Sequence, residues 1–222
     1  STNYVLTVTQ GGCTSWDTVR VTVNPQPVAG FTPPVAQCLT GNSFTFNNTG
    51  STGAGFSYSW NFGGGGASPA TSTAVSPSGV TYTTPGTYTV TQTITFGTCT
   101  ATTTANVTIN PMPIPTAVAD SVNCNGGSTG SVTVSNVTNS PGGFNYSWNT
   151  TPVQNTQTAT GLPIGTYTVT VTDQNTLCQG QTTATISQPV ALTATENHVN
   201  PTCAQGTNGT ATANPLGGTT PY

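Results

Sequence analysis

Charge is almost missing from this sequence. Its 222 residues include no lysine, one arginine (Arg20), four carboxylates (Asp17, Asp120, Asp173 and Glu196) and one histidine (His198), so charged residues make up 2% where globular domains carry about 25%. Nucleic-acid binding needs several cations to replace the counterions of phosphate, and one arginine does not supply them. A polybasic membrane patch is excluded for the same reason. Catalysis needs a nucleophile, an acid or base and a group that stabilises developing charge, and five scattered ionisable side chains do not assemble that set. The sequence also lacks an apolar run near 18 residues, which predicts no membrane insertion. It opens without a basic stretch followed by an apolar one, so no signal peptide is read at its start. Helical periodicity with caps is missing too, and Gly and Pro recur too often for long helices.

What is present argues for folding. Disordered chains combine low hydrophobicity with high net charge; here 33% of residues are hydrophobic and the net charge is −3. Six cysteines in a Thr-rich, Lys-free chain indicate an oxidising, extracellular setting.

Internal repeats organise the chain. Tyr4-Val5-Leu6-Thr7-Val8 leads to Cys13, Gly86-Thr87-Tyr88-Thr89-Val90 to Cys99, and Gly165-Thr166-Tyr167-Thr168-Val169 to Cys178. Upstream of the last two stand Phe56-Ser57-Tyr58-Ser59-Trp60-Asn61 and Phe144-Asn145-Tyr146-Ser147-Trp148-Asn149. A third signature is a cysteine followed by a Gly-containing turn and an alternating strand: Cys38 with 43–46, Cys124 with 131–134, Cys203 with 209–213. The order in a unit is thus Cys–strand, Tyr-Ser-Trp strand, Gly-Thr-Tyr strand, Cys–strand, Pro. This predicts complete modules over 25–110 and 111–189, the last strands of another module over 1–24, and the first part of a further one over 190–222. The sequence reads as a window on a longer tandem array.

Strict alternation, as in Thr87–Thr95 with Tyr88, Val90, Gln92 and Ile94 between threonines, is the pattern of half-buried strands. Turn signals every 8–12 residues then predict β-sandwiches. Trp60 and Trp148 fit the buried Trp of the third strand in an immunoglobulin-like sandwich. Tyr4, Tyr88 and Tyr167 fit the tyrosine near the start of the sixth, whose hydroxyl returns to the chain. The predicted fold is all-β: tandem Ig-like antiparallel sandwiches in an elongated array.

At these residues the sequence resembles two families. Trp60-Asn61-Phe62-Gly63-Gly64-Gly65, with Tyr82 and Pro85-Gly86-Thr87-Tyr88-Thr89-Val90, is similar to the PKD domain, an Ig-like surface module with a W-D-F-G-D-G signature; Asn61 and Gly64 replace its acidic positions. Cys124 through Cys178, with Gly165 to Asp173, resembles the SprB-type repeat of gliding-motility surface adhesins of Bacteroidota. Residues 190–222 look like the start of another, ending in Gly217-Gly218-Thr219-Thr220-Pro221-Tyr222. The resemblance implies a very large secreted cell-surface protein, exported by the type IX system.

Cys13, Cys38, Cys99, Cys124, Cys178 and Cys203 are the disulfide candidates. One reading closes each module on itself, Cys38–Cys99 and Cys124–Cys178. In an Ig-like topology, however, the turn after the first strand and the last hairpin lie at opposite ends, about 20 Å apart for a strand of six or seven residues, whereas a disulfide needs Cα atoms within about 7 Å. The other reading therefore staples neighbouring modules, Cys38 to Cys178. No Cys/His cluster has zinc spacing, and the carboxylates stand at least 23 residues apart, so neither a metal site nor any other cofactor is expected. Asp17-Thr18-Val19 and Asp120-Ser121-Val122 match the D-[S/T]-aliphatic O-glycosylation pattern associated with Bacteroidota, which makes Thr18 and Ser121 the glycosylation candidates.

The function expected is a non-catalytic shaft or spacer of a secreted cell-surface adhesin or extracellular filament serving surface attachment and gliding motility. Its partners are neighbouring copies or modules of the same protein and surface polysaccharide. The alternative is a carbohydrate-binding or spacer module of a secreted hydrolase, for which Tyr58 and Tyr146 are the candidate glycan contacts.

Overall fold

The computed structural model describes residues 1–140 and 142–221, and it divides into two units, Ser1–Asn110 and Pro111–Tyr222. Every regular element among the described residues is a β-strand.

The first unit opens with a nine-rung antiparallel hairpin, β1 (Thr2–Gln10) and β2 (Cys13–Val21), turned by Gly11 and Gly12, both at positive φ. There follow β3 (Phe31–Thr32), β4 (Gln37–Cys38), β5 (Asn47–Asn48), β6 (Phe56–Asn61), β7 (Thr71–Ser72), β8 (Gly86–Phe96) and β9 (Cys99–Asn110). Five of these form one sheet in the order β4-β9-β8-β6-β7, with β4 parallel to β9 and the other neighbours antiparallel; β3 and β5 make a small second sheet. The alternation read in the sequence is the burial pattern of β8: Val90, Gln92 and Ile94 point inward, and the threonines between them point out. The inward face meets Phe44, Phe46, Trp60, Phe62, Val80 and Tyr82, all buried. The segment carrying Phe44 and Phe46 differs from expectation. Both rings are fully buried, yet it joins the fold by one bridge, Phe44 to Val80, and one hydrogen bond from the Phe46 N–H to the Pro77 carbonyl, and not by a ladder. Side-chain burial holds it, with Asn42 below it accepting from the Tyr82 backbone N–H and donating to the Tyr82 carbonyl.

The second unit contains β10 (Ile114–Asp120), β11 (Gly130–Thr138), β12 (Phe144–Trp148), β13 (Thr158–Leu162), β14 (Gly165–Asp173), β15 (Gln179–Ile186), β16 (Thr193–Val199) and β17 (Thr210–Leu216). Sheets β10-β11-β13 and β12-β14-β15 face each other across Val132, Val134, Trp148, Ala159, Leu162, Val169, Val171 and Ile186. Strands β16 and β17 pair as a separate antiparallel hairpin whose residues are exposed throughout.

Both sandwiches therefore have two layers of strands, antiparallel except for the β4–β9 pair, around one tryptophan, the Ig-like, all-β arrangement. Each indole is anchored at its polar end as well as buried: Trp60 Nε1 donates to the Ala74 carbonyl at 2.9 Å, and Trp148 Nε1 to the Thr156 carbonyl at 3.0 Å.

The outer faces use hydroxyls where most sheets use charge. Across β8 and β9, Thr87 pairs with Thr108 and Thr93 with Thr102, each at 3.2 Å, and Thr89 donates to Asn106 at 3.0 Å. Thr166 and Thr185 repeat the contact at 2.9 Å on β14 and β15. Cross-strand pairs of this kind contribute a few tenths of a kcal/mol each, up to about 1, and they do so without ions.

Candidate functional site

The candidate residues fall into three sets: cysteines, tyrosines of the Tyr-Ser-Trp and Gly-Thr-Tyr strands and their counterpart in β1, and hydroxyls following aspartates.

Among the cysteines, Cys13, Cys99, Cys124 and Cys203 hold free thiols, while Cys38 and Cys178 do not. In the first sandwich Cys38 lies opposite Asn110, at the last residue of β9, and Cys99 is the first residue of the same twelve-residue strand. Eleven residue steps at about 3.3 Å separate the two ends by roughly 36 Å. In the second sandwich Cys124 lies at the far end of β15, where Asn125 donates to the Pro189 carbonyl and the Gly126 N–H to Gln188. Cys178 immediately precedes the first residue of that strand. Both intramodular pairings thus fail the roughly 7 Å limit by a wide margin.

The turn that presents Cys178 is built around one carboxylate. Asp173 is fully buried by its neighbours. Its Oδ1 accepts the backbone N–H groups of Asn175 and Thr176, each at 2.8 Å, and its Oδ2 accepts the Ser140 hydroxyl. The Asp173 backbone N–H donates to the Cys178 carbonyl, which closes the loop. The Ser140 hydroxyl, followed by the Thr176 amide, holds the Asp173 carboxyl below the usual carboxylate range. An Asp with Asn two and Thr three residues on in a turn is a recognisable Asx signal; the Ser140 contact, from another loop, leaves no local trace.

The tyrosines differ in their use. Tyr88 donates to the carbonyls of Thr84 (3.1 Å) and Pro85 (3.2 Å), and Tyr167 to that of Pro163 (3.0 Å). Each hydroxyl returns to the chain just upstream of its own strand. Tyr4 occupies the matching place in β1 but is 56% exposed, since no second sheet covers that hairpin among the described residues. Sequence reasoning missed the buried role of Tyr82. Its hydroxyl donates to the Phe62 carbonyl at 2.8 Å, its ring stacks on Tyr88 at 5.1 Å, and burial, then the neighbouring Tyr88, pushes its pKa up to about 12. Tyr58 donates to the Ser51 carbonyl at 3.2 Å. Tyr146 makes no hydrogen bond through its hydroxyl to another described residue and lines an open cleft with Phe144.

Of the two glycosylation candidates, Thr18 lies on the exposed hairpin, where its backbone N–H donates to Asp17. Ser121 instead shares a 2.6 Å hydrogen bond with the Ser187 hydroxyl, tying the exit of β10 to the end of β15. Glu196 and His198 form an exposed pair at 3.4 Å. Among the described residues no group of three or more His, Cys, Asp or Glu side chains could hold a metal ion, and no helix is long and apolar enough to cross a membrane.

Comparison with known proteins adds family information. The PKD domain family matches residues 22–109 and the SprB repeat family residues 195–222. No curated protein matches the chain. Among solved structures, a variant three-immunoglobulin segment of titin is 13% identical, covering 90% of this chain and 78% of its own, with a TM-score of 0.42. Extracellular domains 3–5 of Drosophila OTK are 8% identical over 83% of this chain and 70% of theirs, at 0.41. The two immunoglobulin domains of DIP-gamma are 10% identical over 74% and 98%, at 0.37. At these scores the overlaps carry no argument, and the Ig-like description stands on the strand pairing and cores above.

Proposed function

We propose that this chain, which contains a PKD domain and a SprB repeat, is a shaft segment of a large secreted cell-surface adhesin or extracellular filament. Its modules run over 25–110 and 111–189, with parts of further modules at 1–24 and 190–222. Ig-like modules of these families are non-catalytic, and the mechanism is geometric: each sandwich adds length, and links between modules limit bending. Pro111 and Pro113, which precede β10, support this, because proline fixes φ and favours extended spacing.

The observation that carries the reading is the placement of the cysteines. Each module holds its two cysteines at opposite ends of its last strand, so a disulfide serves it only by reaching outside. Cys38 marks the end of the first sandwich that leads into Asn110. Cys178 marks the end of the second that begins at Pro113: Gly180, two residues on, packs so closely on the Pro113 carbonyl that no Cβ would fit there. These ends are consecutive along the chain. The staple we propose is Cys38 to Cys178, with neighbouring modules or copies serving the other four cysteines.

Peptide mapping of the purified chain under non-reducing conditions tests the staple. A Cys38–Cys178 linked peptide is expected; a Cys38–Cys99 or Cys124–Cys178 peptide would sink it. Immunogold labelling of intact producing cells tests the shaft. Gold distributed along surface fibres is expected, and gold confined to the cell interior counts against it. Export by the type IX system and service in gliding belong to the same proposal, with loss of surface label in an export-deficient strain as their check.

A further inference from the structure

The two Tyr-Ser-Trp strands place Tyr58 and Tyr146 at the same position, two residues before the buried tryptophan. In the first sandwich the site is closed. Tyr58 spends its hydroxyl on Ser51, and Phe56 is covered by Phe96 at 4.8 Å between ring centroids, packed in turn over Gly55.

In the second sandwich the same place is open. Strand β13 pairs with β11 only from Gly130 to Thr133, so beyond Val134 that side of β11 has no ladder partner. A bulge follows at once: Ala117 pairs with Val134 but Thr116 with Asn136, leaving Ser135 as the extra residue. Bulges re-aim side chains and gather at binding sites. The result is a cleft of about 250 Å³ lined by Phe144, Tyr146, Asn136, Val137 and Gln157. Both aromatic rings are half-buried and fixed by packing against the core. Gln157 is held by its Nε2 donating to the Val134 carbonyl at 2.8 Å, which leaves its Oε1 available. The Asn136 amide and the Tyr146 hydroxyl have no hydrogen-bond partner among the described residues. No lining residue is charged.

We propose that this cleft binds a neutral sugar ring. Rigid aromatic faces present a π-surface to the C–H side of a pyranose, and three residues of the lining carry uncommitted polar groups, donors and acceptors both, for its hydroxyls. The volume lies just below the range of about 300–1,000 Å³ typical of drug-sized ligands, which suits one ring or a chain end. Without a cation in the lining, uronate and sulfated sugars gain nothing there. The inference goes beyond the shaft reading and is independent of it, giving one module type a lateral grip on neutral polysaccharide.

The test is an NMR titration of the full chain with cellotetraose, laminaritetraose and mannotetraose, and with tetragalacturonate as the charged control. At least one neutral sugar is expected to shift the amides of Asn136, Phe144, Tyr146 and Gln157, with the uronate leaving them in place. Tyr146→Ala should weaken binding about ten-fold. Asn136→Ala, at an exposed position that leaves the core intact, should weaken it several-fold, and Tyr58→Ala should change nothing. No shift of those amides with any neutral sugar at about 20 mM, full binding by Asn136→Ala, or an equal loss in Tyr58→Ala would overturn the proposal.

Discussion

The first sandwich fills its interior with rings, Phe44, Phe46, Trp60, Phe62 and Tyr82, while the second fills the same space with Val, Ala, Leu and Ile around Trp148 alone. The turns differ as well. Gly97 at positive φ lets Phe96 pair directly with Cys99 in a tight turn, whereas the second hairpin takes a longer loop closed by Asp173 and buries Cys178. The order β6-β8-β9 recurs as β12-β14-β15, and the Trp and Tyr anchors persist with it. The topology thus depends on which positions alternate inward, and the particular side chains decide how each module responds to stress.

The largest expected effects probe that shared anchor. Trp60→Ala removes a ring packed on Phe31, Phe46 and Phe62 and should cost about 3–5 kcal/mol. Trp148→Ala, bounded by flexible aliphatic side chains that can close part of the cavity, is expected at the lower end of that range. Urea unfolding followed by peptide-resolved hydrogen exchange separates the modules, and an equal loss in both would remove the distinction between the cores.

Next comes Gln92, the fully buried polar residue of β8. Its Oε1 accepts the Gly30 N–H at 2.9 Å and its Nε2 donates to Asn48 at 2.7 Å. Gln92→Leu strands the Gly30 N–H and takes one of two donors from Asn48 Oδ1, which keeps the Gly50 N–H; it should destabilise the first sandwich by about 1–3 kcal/mol, leaving the second unchanged by the same readout.

The two sandwiches should also fail at opposite ends of the pH scale. Residues 25–110 contain no carboxylate, lysine, arginine or histidine, so acid has nothing to protonate there. In the second sandwich the depressed pKa of Asp173 means that its stabilisation is present above the ordinary Asp pKa and is lost as pH falls through the folded value. Exchange protection around Cys178 should therefore fall in acid while that around Cys99 holds, and Asp173→Asn should abolish this dependence. Tyr82 acts in the other direction. With its pKa raised to about 12, the first sandwich is at full stability below the ordinary tyrosine pKa near 10 and loses it as pH climbs toward 12. Ultraviolet titration should find one tyrosine ionising late, and Tyr82→Phe should remove that step.

The smallest effect concerns modification. The Ser121 hydroxyl is engaged by Ser187 and Thr18 stands on an exposed hairpin, so glycopeptide mass spectrometry of protein from its native source should find Thr18 occupied more fully than Ser121. The reverse order would show that local hydrogen bonding does not govern the choice.

Much of this was legible along the chain. The Thr-x-Thr alternation of 87–95 told which side chains of β8 face inward, and the Tyr and Trp spacings set the order of the strands, because a period of two and a turn depend on near neighbours. The segment at 43–46 read as a strand and is held by two buried rings instead, since whether an extended segment finds a ladder partner depends on residues far away, here Val80. Tyr4 read like Tyr88 and stands exposed for the same kind of reason: a sequence motif specifies the strand but not the sheet that covers it.

The sequence by itself determined the repeat, the β class, the near absence of ions and the positions of the cysteines, all properties of local pattern and composition. The tertiary structure decided what lies roughly 36 Å apart and what lies in contact. It put the cysteines of each module at opposite ends of one strand, bound Ser140 to Asp173, closed the site around Tyr58 and left open the one around Tyr146. Those outcomes follow from which strands pair and how far each ladder runs, and no short stretch of the chain encodes them.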